Sequence, residues 1–146
     1  MFLLDTDHLG IVQRQSAPEH ANLTHRMRQH SLEDFFVSIV SFHEQVTGWN
    51  AYIRRARGEE GLVRGYAMFQ EILADFARMN VLPFDSQAAE VFTRLRRSGV
   101  RVGTMDLRIG AIALARGLTV LTRNTVDFER IPGLRVEDWT GPIRSM

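Results

Sequence analysis

Phe2-Leu3-Leu4-Asp5-Thr6-Asp7 opens the chain with three apolar residues, closed off by two acids around a threonine. So short an apolar run, followed by residues that favour helix starts, predicts a buried strand leading into a helix. The pattern recurs along the chain. Pro18 and Glu19 open a polar helix to about Gln29. Phe35 to Val40 is aromatic and β-branched and predicts a second buried strand. Ser41-Phe42-His43-Glu44 follows, with Ser three residues before Glu, the spacing of a capping box that starts a helix. Val81-Leu82-Pro83-Phe84 predicts a third strand, Ser86 to Ser98 a helix ended by Gly99, and Thr104 to Arg116 a helix ended by Gly117. Leu118 to Thr122 predicts a fourth strand, Ile131-Pro132-Gly133-Leu134 a turn, and Leu134-Arg135-Val136 a last strand. Strands alternating with helices predict an α/β fold, a parallel sheet covered on both faces.

Residues 42–79 interrupt this alternation. Phe42, Val46, Trp49 and Ile53 form one stripe at helical spacing, and Leu62, Tyr66, Phe69, Leu73 and Phe76 form another, with Gly58 and Gly61 between them. Two striped helices with a short link predict an antiparallel hairpin. Core packing accounts for the stripes; a groove for a partner is the alternative.

The 146 residues suit one domain spanning 1–146, with 45% hydrophobic and 24% charged residues, ordinary for a folded chain. With no cysteine, a disulfide scaffold, thiol catalysis and a Cys-ligated metal site are excluded. The longest apolar run is Ile109 to Ala115, too short to span a bilayer, and the N-terminus becomes charged too soon for a signal peptide. The expected location is the cytoplasm. A net charge of +1 excludes nucleic-acid binding by bulk positive charge. All 18 basic residues are Arg. Codon bias explains this as well as the aptitude of Arg for bidentate phosphate contacts.

Ligands of open α/β sheets bind at the carboxyl ends of the strands. Asp5 follows the first strand, Glu44 the second, and Asp127 the fourth, with Thr122 and Asn124 just before it. Asp106 starts a helix that returns antiparallel to the strands, so it begins at the same edge. Singly, each acid has a local explanation as a cap or a helix-dipole partner. Jointly, four carboxylates at one edge repel and raise one another's pKa. A hard divalent cation resolves this, and no basic residue is obviously placed among them to do so instead. Cations held by acids suit phosphodiester hydrolysis. The five histidines show no metal-ligand spacing, and there is no GxSxG or phosphate-loop motif.

These blocks resemble those of PIN-domain nucleases. Phe2 to Asp7 is similar to their LLDTN or LLDTD start, and Ser41 to Glu44 with Gly48 to the second block. Thr104 to Ala113 resembles the third, and Leu121 to Phe128 with Ile131 to Leu134 the fourth, in family order over nearly the whole chain. Size and the last block look most like VapC-type toxins of bacterial toxin–antitoxin pairs. The resemblance implies a five-stranded parallel sheet and an Mg²⁺- or Mn²⁺-dependent endoribonuclease acting on single-stranded tRNA or rRNA regions. It implies Asp5, Glu44, Asp106 and Asp127 as catalytic and metal-binding residues, supported by Thr6, Thr122 and Asn124. Asp7 stands where many members carry Asn, and its role is open. A homodimer and a cognate antitoxin reaching into the acidic site are implied partners, with contact expected at residues 42–79. Arg108 and Arg123 are candidates to hold the RNA backbone, with solvated surface charge as the alternative. Two rival readings are a PIN-like fold kept as a non-catalytic binding module and a DxD phosphatase of the haloacid-dehalogenase type. The latter pattern wants Thr or Val where Leu9 stands and a Lys that this chain lacks.

Overall fold

The computed structural model describes residues 1–15 and 18–143. The strands are β1 (Phe2–Leu4), β2 (Phe35–Ser38), β3 (Val81–Leu82), β4 (Thr119–Leu121) and β5 (Val136–Glu137). The helices are α1 (Thr6–Arg14), α2 (Glu19–Met27), α3 (Ile39–Arg55), α4 (Glu59–Ala77), α5 (Ser86–Arg97), α6 (Thr104–Arg116) and α7 (Thr125–Phe128). The sheet runs β3-β2-β1-β4-β5, and every pairing is parallel. All strands therefore end at the same edge, and β1 lies at its centre.

Side chains alternate across a strand. Leu3 and Val120 pack into a core with Leu95, Leu107, Ile112, Phe128 and Ile131, beneath α5, α6 and α7. Leu4 and Leu121 turn the other way, toward Leu9, Leu23, Val37, Ile72, Phe76 and Trp139, beneath α1, α2 and α4. This is the two-faced parallel sheet that the alternating pattern requires.

Strand β2 stops at Ser38, so Ile39 and Val40 belong to helix rather than to strand. The cap is Ser38, whose Oγ accepts from the Ser41 N–H at 3.1 Å. The Ser41–Glu44 capping box is therefore absent: Ser41 is already inside α3 and fully buried. The reason is register. Val37 is the last β2 residue opposite β1, and Ser38 pairs with Leu82 at the end of β3, so no ladder remains for two β-branched residues. Strand β3 is likewise cut to two residues before Pro83, which has no N–H to donate.

The hairpin of α3 and α4 forms, and Phe69 and Phe76 of the expected α4 stripe pack inward, but the rest of that stripe does not. Leu62, Tyr66 and Leu73 are 42%, 59% and 65% exposed, whereas Gly65, Ile72 and Phe76 are buried. A Cβ at Gly65 would collide with the Ile53 side chain, so α3 and α4 close on the glycine. That turns α4 by roughly 60° from its most apolar stripe, the angle between positions three apart. No helix among the described residues is long and apolar enough to cross a membrane.

Candidate active site

The carboxyl edge of the sheet gathers the acids. Asp5 leaves the central strand and caps α1, its Oδ1 accepting from the Thr6 N–H at 2.7 Å. Its own N–H donates to the Leu121 carbonyl at 2.9 Å, which ties it to the end of β4. Its Oδ2 accepts from Thr122 Oγ1 at 2.8 Å. Asp5 is 5% exposed. Burial, with help from the neighbouring Asp7 charge, pushes its carboxyl up to about 7, although the Thr122 and Thr6 hydrogen bonds work against the rise.

Thr6 is the bridge to α3. Its hydroxyl donates to Glu44 Oε1 at 2.8 Å and lies 2.9 Å from Ser41 Oγ. A hydroxyl has one proton, so Ser41 is the donor to Thr6. Glu44 is thus held by a residue of α1 rather than by its own helix end. Glu44→Gln keeps an oxygen for Thr6 and is expected to melt within about 0.5 kcal/mol of the parent, as a change that breaks no named feature does. If the ribonuclease activity that the resemblance implies works through the charge of Glu44, the same variant cleaves RNA far more slowly. A melt beside a cleavage rate checks both, and full activity in Glu44→Gln removes Glu44 from the chemistry.

Asn124 gathers the other two acids. Its Nδ2 donates to Asp106 Oδ2 at 3.1 Å and to Asp127 Oδ2 at 3.0 Å, using both amide protons. The segment that carries it lies close to α6 because position 110 is glycine: a Cβ there would sit 2.5 Å from Ile131 Cδ1. Burial raises the Asp106 carboxyl, and the charges of Glu44 and Asp127 raise it further, against the Asn124 hydrogen bond. Arg130 Nη1 stands 3.6 Å from Asp127 Oδ1, so one base does border the acids, one turn after Asp127 in a position the strand and helix pattern did not mark. Arg123 contributes its backbone, the N–H donating to Asp7 Oδ2 at 3.0 Å.

Asp7 and His8 form a support that sequence reasoning missed. Asp7 Oδ2 also lies 3.3 Å from Thr122 Oγ1, whose single proton points to the nearer Asp5. Asp7 Oδ1 meets His8 Nδ1 at 2.9 Å, and His8 Nε2 accepts from the Trp139 N–H at 3.1 Å. An acceptor at Nε2 puts the proton on Nδ1, which donates to Asp7. Burial works to raise the Asp7 carboxyl, but the His8 and Arg123 hydrogen bonds outweigh it and hold the carboxyl below its ordinary value. His8 is completely buried. The only sequence signal was a histidine directly after the Asp5-Thr6-Asp7 run; its partner lies 131 positions away.

The edge thus brings together all four acids and the three supporting residues through hydroxyl and amide donors. Among the described residues, no three acids or histidines stand as a ready-made metal cage. The donor set is nevertheless carboxylate and hydroxyl oxygen, which suits hard divalent cations.

The chain matches the family model of the PIN domain over residues 4–134. It is 46% identical over 67 residues to the tRNA(fMet)-specific endonuclease VapC of Salmonella typhimurium, covering 43% of this chain and 51% of that protein. The chain spans about half the length of these curated VapC relatives. It is 32% identical over 133 residues to the plasmid stability protein StbB of Pseudomonas syringae pv. tomato, covering 88% of this chain and 91% of that one. The crystal structure of DNA-bound VapBC from Salmonella typhimurium shares the fold, with a TM-score of 0.68, 28% identity, and coverage of 94% of this chain and 97% of that chain. An all-parallel α/β sheet with acids on its carboxyl edge is the class to which fold and site point. Within it, the chain belongs to the PIN-domain family.

Proposed function

We propose that the chain is a divalent-metal-dependent endoribonuclease that cuts single-stranded regions of RNA, serving in the cytoplasm as the toxin of a toxin–antitoxin pair. The observation that carries this reading is the convergence of Asp5, Glu44, Asp106 and Asp127 on one sheet edge in a PIN-family chain. Relatives named as tRNA-specific endonucleases support tRNA as substrate, with a ribosomal RNA loop as the alternative. Neighbours solved as VapBC complexes support an antitoxin partner. We assign that contact to the α3–α4 hairpin, whose exposed Val63, Tyr66 and Leu73 the monomer leaves uncovered. We also expect a homodimer.

Asp5 and Asp106 would hold the cation, Mg²⁺ or Mn²⁺, with Glu44 and Asp127 completing the site. When bound, such a cation supplies charge to the attacked phosphate and lowers the pKa of water. Thr122 and Asn124 fix the orientation of the carboxylates they touch, and Thr6 fixes Glu44. Asp7, anchored by His8, accepts from the Arg123 N–H and keeps negative charge beside Asp5.

The reading is tested by incubating the chain with tRNA in Mg²⁺ or Mn²⁺ and with EDTA. Cleavage that stops in EDTA and returns with metal is expected; full cleavage in EDTA overturns the metal assignment. Metal also binds the native state alone, so at about 100 times Kd it adds roughly 2.7 kcal/mol of stability. A melting temperature unmoved by millimolar Mn²⁺ overturns binding at this edge.

A further inference from the structure

Two arginines outside the acidic cluster share one aromatic ring. The guanidinium carbons of Arg96 on α5 and Arg108 on α6 lie 5.5 and 5.8 Å from the centroid of Phe92. Arg108 also rests on Met105 Sδ at 3.4 Å. Among the described residues neither is paired with a carboxylate, unlike Arg78, Arg116 and Arg130. Two like charges drawn to one ring repel each other, and the ring's negative face offsets that only in part. An anion with several oxygens relieves the repulsion, and the planar guanidinium fork matches a phosphate.

Arg108 stands two residues beyond Asp106. It also walls a groove of about 380 Å³ together with Ile39, Val40 and His43 of α3 and with Phe84. The groove lies where α3 meets α6, the two helices that also carry Glu44 and Asp106. Phe84 packs edge-on against Phe92 at 6.0 Å between centroids, which joins groove and clamp. The groove lies in the roughly 300–1,000 Å³ range of small-molecule sites. Its lining is aliphatic and aromatic with one imidazole and one guanidinium, the surroundings in which unstacked bases of single strands are held.

We propose that Arg96 and Arg108, braced on Phe92, clamp a phosphate of single-stranded RNA, and that the adjoining groove takes the neighbouring nucleobase. This rests on the ribonuclease reading. A single strand, with a charge on every repeat and a base beside it, supplies both a phosphate for the guanidiniums and an occupant for the groove. A carboxylate from a protein partner would satisfy the guanidiniums but leave the groove without an occupant.

The experiment uses the full chain with Asp5→Asn, which prevents cleavage, and titrates a labelled single-stranded RNA over a salt series by fluorescence anisotropy. Arg96→Ala and Arg108→Ala are each expected to weaken binding several-fold and to flatten the slope of log affinity against log salt by about 0.7, the value for one phosphate contact on a single strand. Arg108→Lys keeps the charge and the slope but loses affinity with the fork. His43→Ala weakens binding of the normal RNA and leaves binding of an abasic strand unchanged. Arg135, on the opposite edge of the sheet beside the Gly117 carbonyl, is the control. Arg135→Ala leaves the slope in place, and an equal flattening there overturns a localised clamp. Unchanged slopes in both Arg96→Ala and Arg108→Ala, with a wild-type chain that cleaves RNA, overturn the clamp alone. A wild-type chain that neither binds nor cuts RNA in Mg²⁺ or Mn²⁺ overturns the ribonuclease reading itself. An antitoxin segment that binds less well to the arginine variants while RNA binding is unchanged assigns the surface to protein instead.

Discussion

Asp5→Asn is expected to lose RNA cleavage by roughly 10³-fold or more, several kcal/mol of transition-state stabilisation, while folding more stably than the parent. Both effects come from one carboxylate. It sits almost buried at the centre of the edge, with its pKa pushed up to about 7 by burial and then by Asp7. Its proton affinity is higher folded than unfolded. Its contribution to stability is therefore full below the unfolded value of 3.8 and lost as pH rises to about 7. Asparagine carries no charge and is as good a helix cap as aspartate; its one oxygen serves the Thr6 N–H, and its NH2 donates to Thr122 Oγ1, whose proton then turns to Asp7 Oδ2. In EDTA at pH 7.5–8, in the plateau above the folded pKa, the variant should gain about 1–4 kcal/mol. The gain should shrink toward pH 4. Thermal melts from pH 4 to 8, beside cleavage assays, check both parts. A gap that widens as pH falls contradicts the burial of an ionised Asp5.

His8→Ala is expected to cost about 3–5 kcal/mol and lower Tm on the order of 10 °C. The substitution leaves a hole in a fully buried position and strands two partners, the Trp139 N–H and Asp7 Oδ1. His8→Asn separates the two. Its amide can still donate to Asp7 but cannot reach Trp139. It should lose part of the stability yet cleave nearly as fast as the parent, whereas His8→Ala should be impaired in both. Equal cleavage rates in the two variants contradict a role of the Asp7 anchor in fixing the Arg123 backbone and the charge beside Asp5. Differential scanning calorimetry and a cleavage time course supply the numbers.

The most legible parts of the fold are those whose signals are local. Helix α6 runs from Thr104 to Arg116, as its glycine boundary at 117 marks, and Gly117 has φ +68 as a left-handed cap requires. The order of strands and helices was legible too, and with it the placement of four acids at one edge. Other features depend on what lies opposite. Ile39 and Val40 have strand-like side chains, but no strand extends far enough to pair with them, and Ser38 caps a helix there instead. Glu44 has capping-box spacing and yet answers to Thr6. Of the apolar α4 stripe Phe69 and Phe76 pack inward, while Leu62, Tyr66 and Leu73 are turned outward, because Gly65 permits closer contact with α3 than Leu62 or Tyr66 would.

By itself the sequence determined the class of architecture and the chemical character of the edge. Periodicity of two and of 3.6 is set by backbone geometry, and a carboxylate after a strand keeps its charge wherever the chain goes. Tertiary structure alone decided which groups hold those carboxylates. Thr122 lies 117 positions from Asp5, Glu44 38 from Thr6, and Trp139 131 from His8; each pair meets because parallel strands end at a common edge. Hydrogen bonds between positions so far apart leave no periodic trace, since each is fixed by the crossing of elements and not by spacing along the chain.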